Sequence, residues 1–229
     1  MTNYAELHSI YWERRYTAPN VESTVFRTHG RILAPMYAPE IRGVVNTLDF
    51  GCGQDATVNF FHQQGYNAKG ADASTKDIGM TYKIYPNISS RFEICHLDPD
   101  KNDFYGFPSN LSVVTAIQSL YYLSDTGLRL CLQKLHASMH SGGVLFATMM
   151  GPQSFFYDNS EAQPNGMRLV RFTSARQVVD NYYAIFTMDE NHLMSKFSIF
   201  EPLHIGKYGF DYGQGECEEF HYTFCVVKP

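Results

Sequence analysis

Residues 44–55 read Val-Val-Asn-Thr-Leu-Asp-Phe-Gly-Cys-Gly-Gln-Asp, and this stretch decides how the rest of the chain is interpreted. An apolar run leads to Asp49, two glycines interrupt it at Gly51 and Gly53, and Asp55 opens a new segment. The pattern predicts a buried strand, a tight glycine turn and a helix whose first turn is capped by a carboxylate. A turn without Cβ atoms lets a ligand lie against bare backbone, so we expect a ligand here.

The acidic-x-Gly-x-Gly pattern of residues 49–53 resembles the cofactor loop of class I S-adenosylmethionine (SAM)-dependent methyltransferases of the small-molecule type. The resemblance covers roughly Val44 to Lys228. It implies an α/β fold, a three-layer sandwich with a mostly parallel seven-stranded sheet, an antiparallel C-terminal strand hairpin and an N-terminal helical cap. Within a single structural domain, residues 1–43 would form the cap over the cofactor site and residues 44–229 the methyltransferase domain.

The glycines also fit a dinucleotide-binding domain. Gly51-x-Gly53-x-x-Ala56 satisfies the looser NAD(P) fingerprint, and Asp72 follows Gly53 by 19 positions, near the ~20 expected for a ribose-binding carboxylate. A pyrophosphate favours bare N–H groups and the positive end of a helix, however, and two carboxylates flank this turn. A cofactor with an ammonium and a sulfonium suits that field better. The carboxylates therefore favour SAM, with an NAD(P)-binding oxidoreductase as the alternative.

Composition excludes several other classes. The chain has 229 residues, enough for one domain with a sizeable core, and its net charge of −5 argues against a dedicated nucleic-acid binder. Its five cysteines are scattered without a C-x-x-C motif, which argues against a disulfide framework or a zinc site and favours a reducing compartment. No signal-like N-terminus and no run of about 18 apolar residues stand in the sequence. We therefore expect a cytoplasmic protein without a membrane partner.

The resemblance also assigns cofactor-binding residues. Asp72 ends a predicted second strand, where the family binds the two ribose hydroxyls, although a helix cap is a competing interpretation. Asp98 falls where the family often contacts the adenine amino group, although a solvated acidic turn competes. The aromatic cluster at 11–16 resembles a segment that closes over the cofactor's methionine end; an N-terminal helix docking an aromatic face is the alternative. The complete predicted set is Asp49, Gly51, Cys52, Gly53, Asp72, Ala73, Asp98, Gln118, Trp12 and Arg15.

Periodicity places the remaining elements. It predicts helices over 22–37, from Val58 to Gly65, from Leu128 to Met139 with a stop at 141–143, and over 178–186. It predicts strands over 67–71, 91–95, 111–116, 144–148, 196–205 and 220–227. We expect a turn that contains Gly206 to join the last two strands. Residues 149–173 are turn-rich and predict a long loop, either a substrate lid or acceptor pocket or a partner surface. A βα series that closes on a hairpin is the methyltransferase order.

The acceptor side is predicted from residues after the fourth strand and in the long loop. The substrate-binding residues predicted are Tyr121, Tyr122, Phe155, Tyr157 and His204. No Asp/Asn-Pro-Pro-Tyr follows the fourth strand, which argues against DNA and glutamine methyltransferases. An aromatic-rich lid without a basic surface favours a small-molecule acceptor, with O or N as the attacking atom more than C or S.

No catalytic residue is assigned by sequence. A general base helps a hydroxyl acceptor, and the available side chains are those of His204, His192, Tyr121 and Tyr157. His136 and His140 have helical i, i+4 spacing without a third ligand, so no metal is expected. A catalytically silent SAM-binding relative remains an alternative, and the expected assembly is a monomer or homodimer.

Overall fold

The computed structural model describes residues 21–54, 56–96, 110–173, 179–210 and 220–229, and for residues 173, 179 and 180 it describes the backbone alone. A first helix, α1, runs over Ser23–Thr28, widens to a π-helical turn at His29–Leu33 and ends with Ala34–Met36. The helix predicted over 22–37 is thereby confirmed. Val25 and Leu33 are fully buried, which gives α1 the inward stripe that its sequence spacing predicts.

Alternating strands and helices follow. The other helices are α2 (Ala56–Gln63), α3 (Thr75–Ile84), α4 (Asp125–Ser138), α5 (Phe155–Asp158) and α6 (Glu190–Lys196), with 3₁₀ turns at Pro39–Val44, Pro86–Arg91 and Leu120–Tyr122. The strands are β1 (Asn46–Phe50), β2 (Asn67–Asp72), β3 (Phe92–Ile94), β4 (Leu111–Ala116), β5 (Met139–Met150), β6 (Ser160–Ala162), β7 (Arg168–Thr173), β8 (Val179–Ala184), β9 (Glu201–Tyr208) and β10 (His221–Val227). In these ranges no helix is long and apolar enough to cross a membrane.

Seven strands form one sheet in the order β3-β2-β1-β4-β5-β10-β9. The first five are parallel, and β10 is antiparallel to both β5 and β9. The predicted mostly parallel sheet with an antiparallel C-terminal hairpin is confirmed. Consecutive residues of its central strands belong to different core clusters, Val113 and Val144 to one and Val114 and Leu145 to the other. Both faces of the sheet are thus covered, as a parallel sheet requires.

The prediction of a loop over 149–173 was wrong. Strand β5 extends to Met150, and the segment then forms α5, β6 and β7. The hairpin between β6 and β7 closes at Gly166, whose φ is +81° and whose N–H bonds the Gln163 carbonyl at 3.2 Å. The Pro164-Asn165-Gly166 signal therefore marks a hairpin turn, because glycine after asparagine permits the left-handed backbone that this turn needs.

The helix predicted over 178–186 was also wrong, since Val179–Ala184 is strand β8. It pairs with β7 in antiparallel register, with Tyr182 opposite Val170 and Tyr183 opposite Leu169. Burial alternates from Asn181 to Ala184, and Tyr182 is buried. The spacing of the β-branched and aromatic residues is compatible with a helix or a strand, and pairing with β7 stabilises the strand. Strands β6, β7 and β8 form a separate three-stranded sheet that the sequence did not predict.

Two further boundaries differ from prediction. Helix α4 ends at Ser138, before the glycines expected to stop it, because the Lys228 ammonium donates to the carbonyls of His136 at 2.8 Å and Met139 at 2.7 Å. Residues 141–143 lie inside β5, where Gly142 has a φ of +82°.

At the other boundary, residue 196 ends helix α6, which Asp189 caps by accepting from the His192 N–H at 2.7 Å. The strand predicted from Lys196 therefore begins at Glu201. Gly206, which the sequence placed in the connecting turn, lies within that strand.

Candidate active site

The glycine turn follows β1 at the carboxyl edge of the sheet. Gly51 has a φ of +74° and Gly53 a φ of +55°, a backbone conformation that side chains with a Cβ rarely adopt. A Cβ on Gly51 would lie 2.4 Å from the Ser119 Cβ, whereas a Cβ on Gly53 would meet no atom within 4 Å. Gly51 is therefore required for packing, and Gly53 leaves open space beside the turn. The Asp55 cap predicted after it lies outside the described residues.

Asp72 ends β2 with its carboxylate against this turn. Its Oδ2 accepts from the Gly53 N–H and its Oδ1 from the Ser74 N–H, both at 2.7 Å. Burial raises the pKa of Asp72 to about 6, while the hydrogen bonds from the Ser74 and Gly53 amides oppose that rise. Each carboxylate oxygen has a second lone pair for another donor. Asp72 and the neighbouring Ala73 are both half-buried.

Asp72 is not the N-cap of α3, the alternative interpretation of this residue, because Ser74 is. Ser74 is the N-cap residue of α3, and its Oγ accepts from the Asp77 N–H at 3.1 Å. The Asp77 carboxylate in turn accepts from the Gln54 side chain at 2.9 Å, and Thr81 Oγ1 donates to the Gly53 carbonyl at 3.1 Å. The first turns of α3 therefore hold the glycine turn in place.

Asp49 and Cys52 are buried on either side of Gly51. Thr115 on β4 donates its hydroxyl proton to the Asp49 carboxylate, so this carboxylate connects neighbouring strands. The Cys52 sulfur packs so closely on Gly70 that a Cβ there would lie 2.9 Å from it. Both predicted residues lie at the turn, and these contacts stabilise its base.

Gln118 joins the turn to the other half of the sheet. It has a φ of +52°, which is uncommon for a residue with a side chain, and its N–H donates to the buried Thr148 Oγ1 at 2.8 Å. The next residue, Ser119, donates from Oγ to the Phe50 carbonyl at 2.8 Å. Gln118 Nε2 reaches the Tyr208 hydroxyl at 3.5 Å. The structure thus places Gln118 next to the glycine turn, and its predicted contact with the cofactor stays a prediction.

A continuous run of rings follows the carboxyl edge beyond Gln118. Its members and the distances between ring centres are Tyr208–His221, 5.2 Å; His221–Tyr121, 5.7 Å; Tyr121–Tyr122, 4.6 Å; Tyr122–Tyr182, 5.8 Å; and Tyr182–Phe156, 6.0 Å. The run carries Tyr121 and Tyr122 from the predicted set. Phe155 joins it through Phe156 at 5.8 Å, and Tyr157 packs on Phe186 at 5.2 Å with the Arg168 guanidinium 4.2 Å above its ring.

Tyr208 and His221 were missed by the sequence reasoning. They face each other across β9 and β10, and His221 also pairs with Met150, the last residue of β5. Only this register places them at the carboxyl edge. The sequence signal that could have found them is that they lie within three residues of the ends predicted for the hairpin strands, Ile205 and Phe220, since an antiparallel closing strand starts where its parallel neighbours end.

The structure does not bring His204 to this edge. It is exposed on β9, four residues before Tyr208, which is about 13 Å along a strand. His192 lies on α6, where burial and then Lys196 lower its pKa, and its Nδ1 accepts from the Met188 N–H at 3.2 Å. His140 lies in β5 rather than on α4 with His136, so the predicted helical pair does not exist. The residues described here include no group of three His, Cys, Asp or Glu placed to hold a metal.

Trp12, Arg15 and Asp98 lie outside the described residues. Their predicted contacts with the methionine and adenine ends of the cofactor stay predictions. The described site therefore consists of the glycine turn, Asp72, Gln118 and the aromatic run.

Comparison with known proteins gives a consistent fold. No family model and no curated protein matches the sequence. Among solved structures, a SAM-dependent methyltransferase from Anabaena variabilis is 17% identical, with 100% of this chain and 96% of that chain covered and a TM-score of 0.66. The chain has the class I SAM-dependent methyltransferase fold.

Two other structures with this fold agree. A SAM-dependent methyltransferase from Methanosarcina mazei is 14% identical over 80% of this chain and 92% of that chain, with a TM-score of 0.64. The magnesium protoporphyrin IX methyltransferase of Synechocystis, solved with bound S-adenosylhomocysteine (SAH), is 12% identical over 99% and 96% with a TM-score of 0.62. The fold inferred from residues 49–53 is confirmed.

Proposed function

We propose that this chain is a SAM-dependent methyltransferase that transfers a methyl group to a small-molecule acceptor, at an O or N atom. The observation that carries the proposal is the Asp72 carboxylate, which Gly53 and Ser74 orient beside an open, positive-φ glycine turn in this fold. Residues 1–43 would form a cap over that site, and the protein would act as a monomer or homodimer.

The residues present fit SAM. A Cβ on Gly53 would meet no atom within 4 Å, which leaves open space beside the turn, and Asp72 has lone pairs that suit two adjacent ribose hydroxyls. The acidic surroundings of the turn suit a cationic ligand. Asp49, Cys52, Ala73 and Gln118 complete the proposed contact region, with Asp98, Trp12 and Arg15 as further proposed contacts.

When bound, SAM supplies an electrophilic methyl group on a sulfonium, so an acceptor lone pair forms the new bond to carbon while the carbon–sulfur pair stays on sulfur as SAH is produced. The protein's contribution is proximity, alignment and exclusion of water. Gln118, whose backbone N–H donates to Thr148 Oγ1, would align the acceptor, and the aromatic run would exclude water. The proton lost by an O or N acceptor would leave to a nearby base or to solvent.

Calorimetry with SAH and with NADH tests the cofactor. We expect SAH to bind and NADH not to bind. Asp72→Asn removes the charge while conserving shape, and we expect it to weaken SAH by about 10- to 100-fold, the loss of a charged hydrogen bond. Asp158→Asn, at an exposed carboxylate on α5, is the matched control and should leave SAH affinity unchanged. Binding of NADH alone, or of neither ligand, would overturn the proposal.

A further inference from the structure

The carboxyl ends of β4, β5 and β9 and the amino end of the antiparallel β10 lie side by side at one edge of the sheet, and one surface spans them. Gln118 follows β4, while Tyr208 ends β9, where it pairs with His221. The Gln118 amide nitrogen meets the Tyr208 hydroxyl at 3.5 Å, so these two side chains bridge across the ends of β5 and β10. We call Gln118, Tyr208 and His221, with Tyr121 against His221, the aromatic floor.

The floor adjoins the glycine turn. Ser119, directly after Gln118, bonds the Phe50 carbonyl at 2.8 Å and leaves no room for a Cβ on Gly51. A molecule on the floor would therefore lie next to whatever occupies the turn. This placement is what an acceptor of the methyl group requires.

The chemistry of the floor selects a flat ligand. The Tyr208 ring lies parallel to His221, with an angle of 9° between the planes, and Tyr208 and Gln118 are both partly exposed. Flat aromatic surfaces favour planar partners through stacking and edge contacts. Lys207 belongs to the other face of β9, since neighbouring residues alternate, and lies 3.7 Å from Glu190.

We propose that the aromatic floor is the acceptor site and that the acceptor is a planar aromatic molecule carrying a hydroxyl or amino group. This inference rests on the proposed methyl transfer. Tyr208 contacts the acceptor ring. The Gln118 carboxamide oxygen accepts the hydrogen bond of the acceptor's O–H or N–H. The backbone of Gln118, with a φ of +52° and its N–H bonded to Thr148 Oγ1, fixes the position from which this side chain extends.

Two alcohols with the same carbon skeleton test the inference. 2-Naphthol is planar and aromatic, and decahydro-2-naphthol has the same hydroxyl position without aromatic rings. Ligand-observed NMR titrations with SAH-saturated protein should show 2-naphthol binding about fivefold tighter, the scale of one aromatic contact. Tyr208→Leu should remove that preference, and Tyr208→Phe, which keeps the ring, should retain it. Tyr82→Leu is the control, since Tyr82 on α3 is 42% exposed and its hydroxyl donates to the carbonyl of Phe92 on β3, at the opposite edge of the sheet from β9.

The outcomes separate the two proposals. Three results would overturn the aromatic floor as acceptor site while methyl transfer stands, provided that SAH binds. They are equal affinity for the two alcohols, no binding of either alcohol, and an unchanged preference for 2-naphthol in Tyr208→Leu. Failure of SAH to bind in the same samples would overturn the proposed function and the acceptor assignment with it. Thermal unfolding of both Tyr208 variants establishes that they are folded, and Tyr208→Phe tests the inference even where the leucine variant unfolds.

Discussion

The Gly53 amide donates to Asp72 Oδ2 at 2.7 Å, and this bond joins the turn after β1 to the end of β2. A carboxylate that is partly buried, yet bonded by two backbone amides, has an orientation fixed before any ligand arrives. Its pKa is nevertheless raised to about 6 because burial outweighs those bonds. The relationship leads to the first prediction.

SAH affinity should increase as the pH rises through about 6. The ordinary pKa of Asp72 is 3.8 and its pKa in the folded protein is about 6, so the folded protein holds the carboxyl proton more tightly than the unfolded chain does. The free protein therefore loses stability as the pH rises between those two values. Ligand hydroxyls that donate to the carboxylate favour its ionised form. Calorimetry from pH 5 to 8 should show that dependence in the wild type and its loss in Asp72→Asn. An identical pH dependence in the variant would contradict the assignment.

Gly51→Ala should destabilise the protein more than Gly53→Ala. Both glycines have positive φ, which costs alanine roughly 1–2 kcal/mol, but only Gly51 would also place its Cβ 2.4 Å from the Ser119 Cβ. We expect about 1–3 kcal/mol more for Gly51→Ala from that overpacking. Urea unfolding measures both free energies. Equal losses would show that Ser119 moves aside without cost.

Gln118→Val should cost about 1–3 kcal/mol of stability, because a β-branched residue poorly tolerates its φ of +52°. Gln118→Asn should cost less, since asparagine adopts this conformation more readily. Both variants shorten the reach to Tyr208, so both should weaken acceptor binding. Chemical unfolding together with the 2-naphthol titration separates the backbone effect from the loss of the side chain.

Lys228→Met should destabilise the protein by about 1–3 kcal/mol. The ammonium donates to the carbonyls of His136 and Met139 at the end of α4, and methionine leaves them without that charged donor. Lys207→Met is the control, since Lys207 lies 3.7 Å from Glu190 with both side chains more than half exposed, a pair worth at most about 1 kcal/mol. Guanidinium unfolding should separate the two variants; similar losses would count against Lys228 as the residue that ends α4.

Local patterns predicted the sheet well. The spacing from the glycine turn to Asp72 requires one strand–turn–helix–strand unit, and the structure has it with β2 at Asn67–Asp72. Strand β4 has the predicted bounds, Leu111–Ala116. Strand β4 was recognisable because all six of its residues are buried, which demands a largely apolar run, and β2 because the length of the unit fixes its position.

The failures have a common cause. Residues 178–186 carry a spacing compatible with a helix, and pairing with β7 decided that Val179–Ala184 is extended. The end of α4 depended on Lys228, ninety residues downstream in the chain, whose Nζ bonds the Met139 carbonyl. Propensity is a weak preference, and a distant partner overrides it.

The sequence by itself determined the fold class and the core of the proposed cofactor region. Gly51 and Gly53 were recognisable because only glycine readily adopts their backbone, and Asp72 because its spacing from the turn is fixed by local geometry. The proposed acceptor side follows from the tertiary structure alone. Tyr208 and His221 reach the carboxyl edge only through the antiparallel register of β9 and β10, because strand pairing between distant segments depends on contacts that no local pattern records.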